Sequence, residues 1–241
     1  MYHFAPLHRH YDKGFGAVAD SFLDSALELK TNHSRAKLNG HLPICYLFRH
    51  AIELFLKGSI IIAHSSLELP YGSTPHTSEP KVPVIDKKDV KKLTSIYKIH
   101  DIELLYAYLR DILTKEREKI DSVTKTNWDL SDELSLKFNR LKEIDSSSAY
   151  FRYPTERSPN FEKEKSAFKE SSVQAVKELA MKNNEPMKAM KVTTLLGSET
   201  EIFIHDDSFT EDAMNLLSEV AEEISDLHFA LMNEFGQGGF V

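Results

Sequence analysis

Leu42-Pro-Ile-Cys-Tyr-Leu-Phe-Arg-His-Ala-Ile-Glu-Leu-Phe-Leu-Lys-Gly-Ser-Ile-Ile-Ile-Ala-His64 is the stretch on which the fold of this 241-residue chain turns. It is apolar enough for burial yet carries Arg49, His50, Glu53 and Lys57 near its middle. On an α-helix, with Arg49 at 0°, Glu53 falls at about 40°, Tyr46 and His64 at about 60°, Lys57 at about 80° and His50 at about 100°. The strongly polar side chains thus share one narrow stripe, and Leu47, Phe48, Ile52, Leu54, Phe55, Leu56, Ile61 and Ile62 cover the rest. A surface helix has a broad polar face, so a narrow one predicts a helix surrounded by others, with a slot facing water, a ligand or buried partners. Its length suits a membrane span, but four ionisable groups are costly in lipid; a soluble core helix and no membrane are expected.

Working outward, Phe15, Val18, Ala19, Phe22, Leu23, Ala26 and Leu27 recur at helical steps and predict an amphipathic helix over 12–30. Pro43 sits in the tolerated first turn of the central helix. Beyond His64, Pro70, Gly72, Pro75, Pro80 and Pro83 predict a long loop near 65–86. Helical periodicity returns over 88–117 with a break near His100, and again over 130–144. Ala149-Tyr-Phe-Arg-Tyr-Pro154 reads as an ordered turn, because proline biases Tyr153 toward an extended backbone. A short helix is expected at 164–181, a small β-hairpin near 190–205, and a last long helix after the capping cluster Asp206-Asp207-Ser208, ending before Gly236. The expected organisation is a single helical domain over 1–241, mainly α, with its core in 12–155 and 208–235 and an irregular or hairpin excursion over 156–207.

Hydrophobic residues make up 41% and charged residues 28%, a balance that excludes global disorder. The single Cys45 has no internal disulfide partner, and the N-terminus has no apolar signal region, so the expected location is cytoplasmic. A net charge of −7 gives no global attraction to nucleic acid, although Lys81, Lys87, Lys88, Lys91, Lys92 and Lys98 make one basic interval, and phosphate contact needs only a local patch. Gly-rich phosphate loops, Cys-x-x-Cys pairs and Gly-x-Ser-x-Gly elbows are missing, and no cofactor is expected. A metal phosphohydrolase arrangement from His50, His100-Asp101 and Asp145 is disfavoured, because Arg49 and Lys57 would repel a divalent ion; no metal is expected.

Glu53 lies one turn from both Arg49 and Lys57. The stripe is therefore either an ion-pair ladder or a polarised cleft in which Glu53 orients Arg49 while His50 or Lys57 meets a ligand. Arg152 among its aromatics is either stacked and presented to a phosphate, or ion-paired with Asp145 or Glu53. His100-Asp101 either opens a helix as a capping pair or supplies an oriented imidazole.

Leu42-Pro-Ile-Cys-Tyr-Leu-Phe-Arg-His-Ala-Ile-Glu-Leu-Phe-Leu-Lys57, Ile99-His-Asp-Ile-Glu-Leu-Leu105 and Asp145-Ser-Ser-Ser-Ala-Tyr-Phe-Arg-Tyr-Pro154 together resemble a group of bacterial helical proteins of the HEPN superfamily. The resemblance covers about residues 42–155 in three blocks. It implies a HEPN-like helical bundle, commonly a homodimer, found in toxin–antitoxin, antiphage or RNA-processing systems. Active members resemble metal-independent ribonucleases that use an Arg-x4-6-His motif near the start of a late helix. The one match here, Arg35-Ala-Lys-Leu-Asn-Gly-His41, precedes the central helix and so departs from that pattern. On the ribonuclease reading, the stripe and the aromatic turn supply Arg49, His50 and Arg152 as the expected catalytic set, supported by Glu53, Lys57, His100, Asp101, Asp145 and Tyr153, with RNA and a cognate antitoxin or other protein as expected partners. The competing expectation is a non-catalytic helical module that binds RNA, a nucleotide or a protein segment through the same slot.

Overall fold

The computed structural model describes residues 6–32, 39–71, 83–87, 92–145, 149–152, 166–182, 188–193 and 200–236. Among these the chain is mainly helical with two small sheets. Helix α1 (Phe15–Thr31) begins after a left-handed Gly14 (φ 84°), where a Cβ would lie 2.7 Å from that of Leu7. The Asp12 carboxylate accepts hydrogen bonds from the N–H groups of Gly14 (2.9 Å) and Gly16 (2.5 Å), satisfying orphan donors of the first turn. Helix α2 (His41–Ser66) is the central stretch; from Ala51 to His64 every side chain on it is buried. It packs against α1, against α3 (Ile102–Lys115), and most extensively against α7 (Ser208–Phe235). The short α4 (Arg117–Val123) follows α3, and α5 (Asp132–Ile144) rests on α3 and α7.

One buried polar contact ties three elements together. His228 of α7 has its Nε2 3.2 Å from the Asp12 carboxylate and its Nδ1 3.2 Å from Ser59 Oγ of α2. Gly58 is what lets α7 come this close, since a Cβ there would lie 2.8 Å from His228 Cε1.

Two short strands correct the sequence reading. Strand β1 (Val84–Lys87) pairs antiparallel with β2 (Lys92–Ser95), so the expected loop near 65–86 ends in a strand, and the helix expected from 88 starts only at Ile102. Ile96, whose spacing from Leu93 suits a helix, and Ile99 are instead buried in and just after a 3-10 turn over Ile96–Lys98. The foreseen break near His100 is where Asp101 caps α3, accepting from the Leu104 N–H at 3.0 Å. The hairpin near 190–205 is present as β4 (Ala189–Thr193) and β5 (Thr200–His205), and it gains a third strand, β3 (Phe168–Ser171), on the other side of β5. Helix α6 (Val173–Lys182) links β3 to this hairpin, starting later than the short helix expected from 164. No helix among the described residues is long and apolar enough to cross a membrane.

Candidate functional site

The charged stripe of α2 is buried. Arg49, Glu53 and Lys57 are 3%, 1% and 3% exposed, so each charge needs a partner. Arg49 donates from Nε to Asp145 Oδ2 (2.6 Å), from Nη1 to Glu53 Oε2 (3.3 Å) and from Nη2 to the His100 carbonyl (2.6 Å). Lys57 Nζ donates to Glu53 Oε1 (2.8 Å) and reaches the Tyr97 carbonyl at 3.5 Å. The same Glu53 Oε1 lies 3.0 Å from His100 Nδ1. Two cations and two carboxylates balance, and the half-exposed His100 ring closes the cluster toward solvent. Burial alone would raise the Glu53 pKa, but the adjacent Lys57 and His100 pull it below the usual carboxylate range. Of the occupants the stripe allows, buried partners account for Arg49, Glu53 and Lys57.

Asp145 carries the cluster to the protein surface. Its Oδ1 accepts from the Tyr150 N–H (3.0 Å) while Oδ2 holds Arg49, and a turn closes from the Arg152 N–H to the Ala149 carbonyl (3.0 Å). Tyr150 and Phe151 are buried edge to face, which leaves Arg152 exposed with its guanidinium 5.9 Å from the centroid of the Tyr46 ring. Stacking on an aromatic is therefore the disposition found for Arg152, and Asp145 and Glu53 are both engaged by Arg49. The Tyr46 ring is also nearly parallel to His50, at 5.8 Å and 5°, and the edge of Phe22 abuts the same imidazole at 4.6 Å.

His50 is half-buried, and its Nδ1 is buried without a hydrogen-bond partner among the described residues. Burial lowers its pKa from the ordinary 6.5, and the cations Lys57, Arg152 and Arg49 push the same way against the opposing pull of Glu53. The ring is accordingly a neutral imidazole at pH 7, with one nitrogen lone pair able to take a proton. His64 belongs elsewhere: it lies between the Tyr71 and Tyr108 rings and bonds the Tyr108 hydroxyl at 2.9 Å.

The structure thus gathers Arg49, Glu53, Lys57, His100 and Asp145 into one cluster and brings both His50 and Arg152 to the Tyr46 ring. Asp101 serves as the α3 cap, while Tyr153 and Arg35 lie outside the described residues. His41 is buried at the start of α2. Tyr46 was visible on the helical wheel as a member of the stripe, but nothing in its letter marked it as the link between the two groups. The contribution of the Tyr97 and His100 carbonyls has no side-chain signal at all. Among the described residues no group of three or more His, Cys, Asp or Glu is placed to hold a metal ion. Cys45 is buried, and desolvation raises the pKa of its thiol. An open groove of about 490 Å³ between α3 and α5, lined by Tyr106, Arg110, Ser135, Phe138 and Asn139 among others, includes none of the residues singled out from sequence. Set against protein-family models, curated proteins and solved structures, the chain finds no significant match in any of the three comparisons.

Proposed function

We propose that this chain is a HEPN-like helical bundle that acts on RNA as a metal-independent endoribonuclease in a toxin–antitoxin or antiphage system. The observation that carries the reading is that the neutral imidazole of His50 and the exposed guanidinium of Arg152 both lie against the Tyr46 ring, at 5.8 and 5.9 Å from its centroid. Cleavage of RNA by its own 2′-hydroxyl needs a proton acceptor and a fixed positive charge for the phosphate, and these two groups supply them. Tyr46 offers an aromatic face beside them, of the kind on which nucleobases stack. Arg49, with three acceptors already on its guanidinium, takes a positioning role: through Asp145 it holds the turn that carries Arg152.

That commitment of Arg49 also favours a second reading, in which the same surface binds RNA or a protein partner without cutting. A homodimer and a cognate antitoxin are the assemblies that the first reading brings with it. Expression of the chain in a bacterial host separates the two. The ribonuclease reading expects growth arrest that is relieved by His50→Ala and by Arg152→Ala at equal protein levels, with transcripts ending in 2′,3′-cyclic phosphates. Unchanged growth together with RNA retention on the purified protein supports the binding module instead.

A further inference from the structure

Ribonucleolysis by internal attack moves two protons, and the His50–Arg152 surface accounts for one of them. The 2′-oxygen loses its proton as it bonds to phosphorus. The bond from phosphorus to the 5′-oxygen breaks, and that oxygen must gain a proton to leave as a hydroxyl. A neutral His50 takes the first proton, and the N–H it already carries is far too weakly acidic to protonate the second site. His100 is placed differently: its side chain is half exposed, while its Nδ1 is 3.0 Å from the buried Glu53 carboxylate. Glu53 is itself fixed by Arg49 and Lys57, and it follows His50 by three residues on α2, so the carboxylate that holds His100 lies within one helical turn of His50. The His100 backbone is pinned as well, because its carbonyl accepts from Arg49 Nη2 at 2.6 Å. A carboxylate at Nδ1 holds an imidazole in one orientation, and the proton it can pass to a substrate is then the one on Nε2.

We propose that His100, oriented by Glu53, is the proton donor to the leaving 5′-oxygen, a second catalytic residue that completes the pair with His50. This rests on the ribonuclease reading. In one turnover His50 takes the 2′-hydroxyl proton, His100 gives its Nε2 proton to the 5′-oxygen, the products are a 2′,3′-cyclic phosphate and a 5′-hydroxyl, and both rings reset by exchange with water. The arrangement also gives the buried ionic cluster a purpose beyond packing, since Glu53 serves Arg49, Lys57 and the donor at once.

Two substrates separate proton donation from any other role: an oligoribonucleotide, whose leaving alkoxide needs a proton, and uridine 3′-(p-nitrophenyl phosphate), whose leaving nitrophenolate does not. His100→Asn keeps an N–H donor near the Nδ1 position for Glu53 but has no proton to transfer, and His100→Gln serves as a second variant if the first melts early. The expected result is a loss of about 10²-fold or more in kcat on the oligoribonucleotide, in the range for a lost acid or base catalyst, with the nitrophenyl ester turned over within a few-fold of wild type. Equal losses on both substrates, or no loss on either, overturn the assignment of His100 while leaving the ribonuclease reading intact. A wild-type protein that cuts neither substrate overturns the ribonuclease reading, and the donor role with it.

Discussion

His50 and His64 leave the ordinary imidazole range for the same physical reason, desolvation, although they sit in different surroundings on α2. Their folded-state pKa values lie below the unfolded value near 6.5, so between the two the unfolded chain binds more protons. Their contribution to stability is therefore complete above about pH 6.5 and is lost as pH falls through the depressed folded values. Urea midpoints are expected to drop between pH 7.5 and pH 5.5, and His64→Gln should flatten that dependence. A midpoint that rises on acidification would contradict the assignment of both rings as neutral. Glu53 follows the same sign at lower pH: its stabilising effect is present above the usual carboxylate value and is lost as pH falls through its depressed one. At this scale the sequence was informative about arc and silent about partners. The wheel placed Tyr46, Arg49, His50, Glu53 and Lys57 together, but the carboxylate that completes Arg49 comes from Asp145, 96 residues along the chain. No local pattern encodes that meeting, and an ion-pair ladder and a catalytic cleft carry the same letters.

Helix α2 is an element whose buried charges, Arg49, Glu53 and Lys57, are paired inside the protein, and its energetics follow from that. Glu53→Ala leaves Arg49 and Lys57 buried beside a missing carboxylate, and a loss of about 3–5 kcal/mol in unfolding free energy is expected, in the range for breaking one side of a buried ion pair. Chemical denaturation of the purified variant measures it directly; a loss below about 1 kcal/mol, typical of exposed pairs, would mean that the cluster is hydrated. Gly58→Ala places a methyl 2.8 Å from His228 Cε1 and 3.3 Å from Phe15 Cβ, so a cost of about 1–3 kcal/mol from overpacking is expected in the same assay. Helices with long apolar periodicity were legible in advance, as α1, α2, α5 and α7 all fall close to their expected ranges. Strands β1 and β2 were not. Each is four residues long, Val-Ile-Asp-Lys and Lys-Leu-Thr-Ser, too short for alternation to rise above noise, and Leu93, Ile96 and Ile102 mimic a helical step across the boundary.

At the scale of the molecule, α2 lies against α1, α3 and α7, with α5 bridging α3 and α7, while β3, β5 and β4 form a small sheet, with α6 between β3 and β4 in the chain. None of the described side chains of α6 is buried, and Met181 is 86% exposed. Stability should be distributed accordingly: amides of α6 are expected to exchange with deuterium at least about 100-fold faster than those of Ile52–Ile62, which open only with global unfolding. Equal protection of the two would show that α6 is integrated with the helical core. The third strand, β3, had no compositional mark in the sequence. The helical core, in turn, holds His50 and Tyr46 on α2, with Arg152 against Tyr46 and His100 against Glu53. The most direct test of that placement is cleavage of a defined single-stranded RNA by purified protein in excess EDTA, comparing wild type with His50→Ala and Arg152→Ala, each shown to be folded by its thermal transition. The account expects cleavage that persists in the chelator and falls by about 10²-fold or more in either variant. RNA left intact by wild type, or cut equally well by both folded variants, would contradict it.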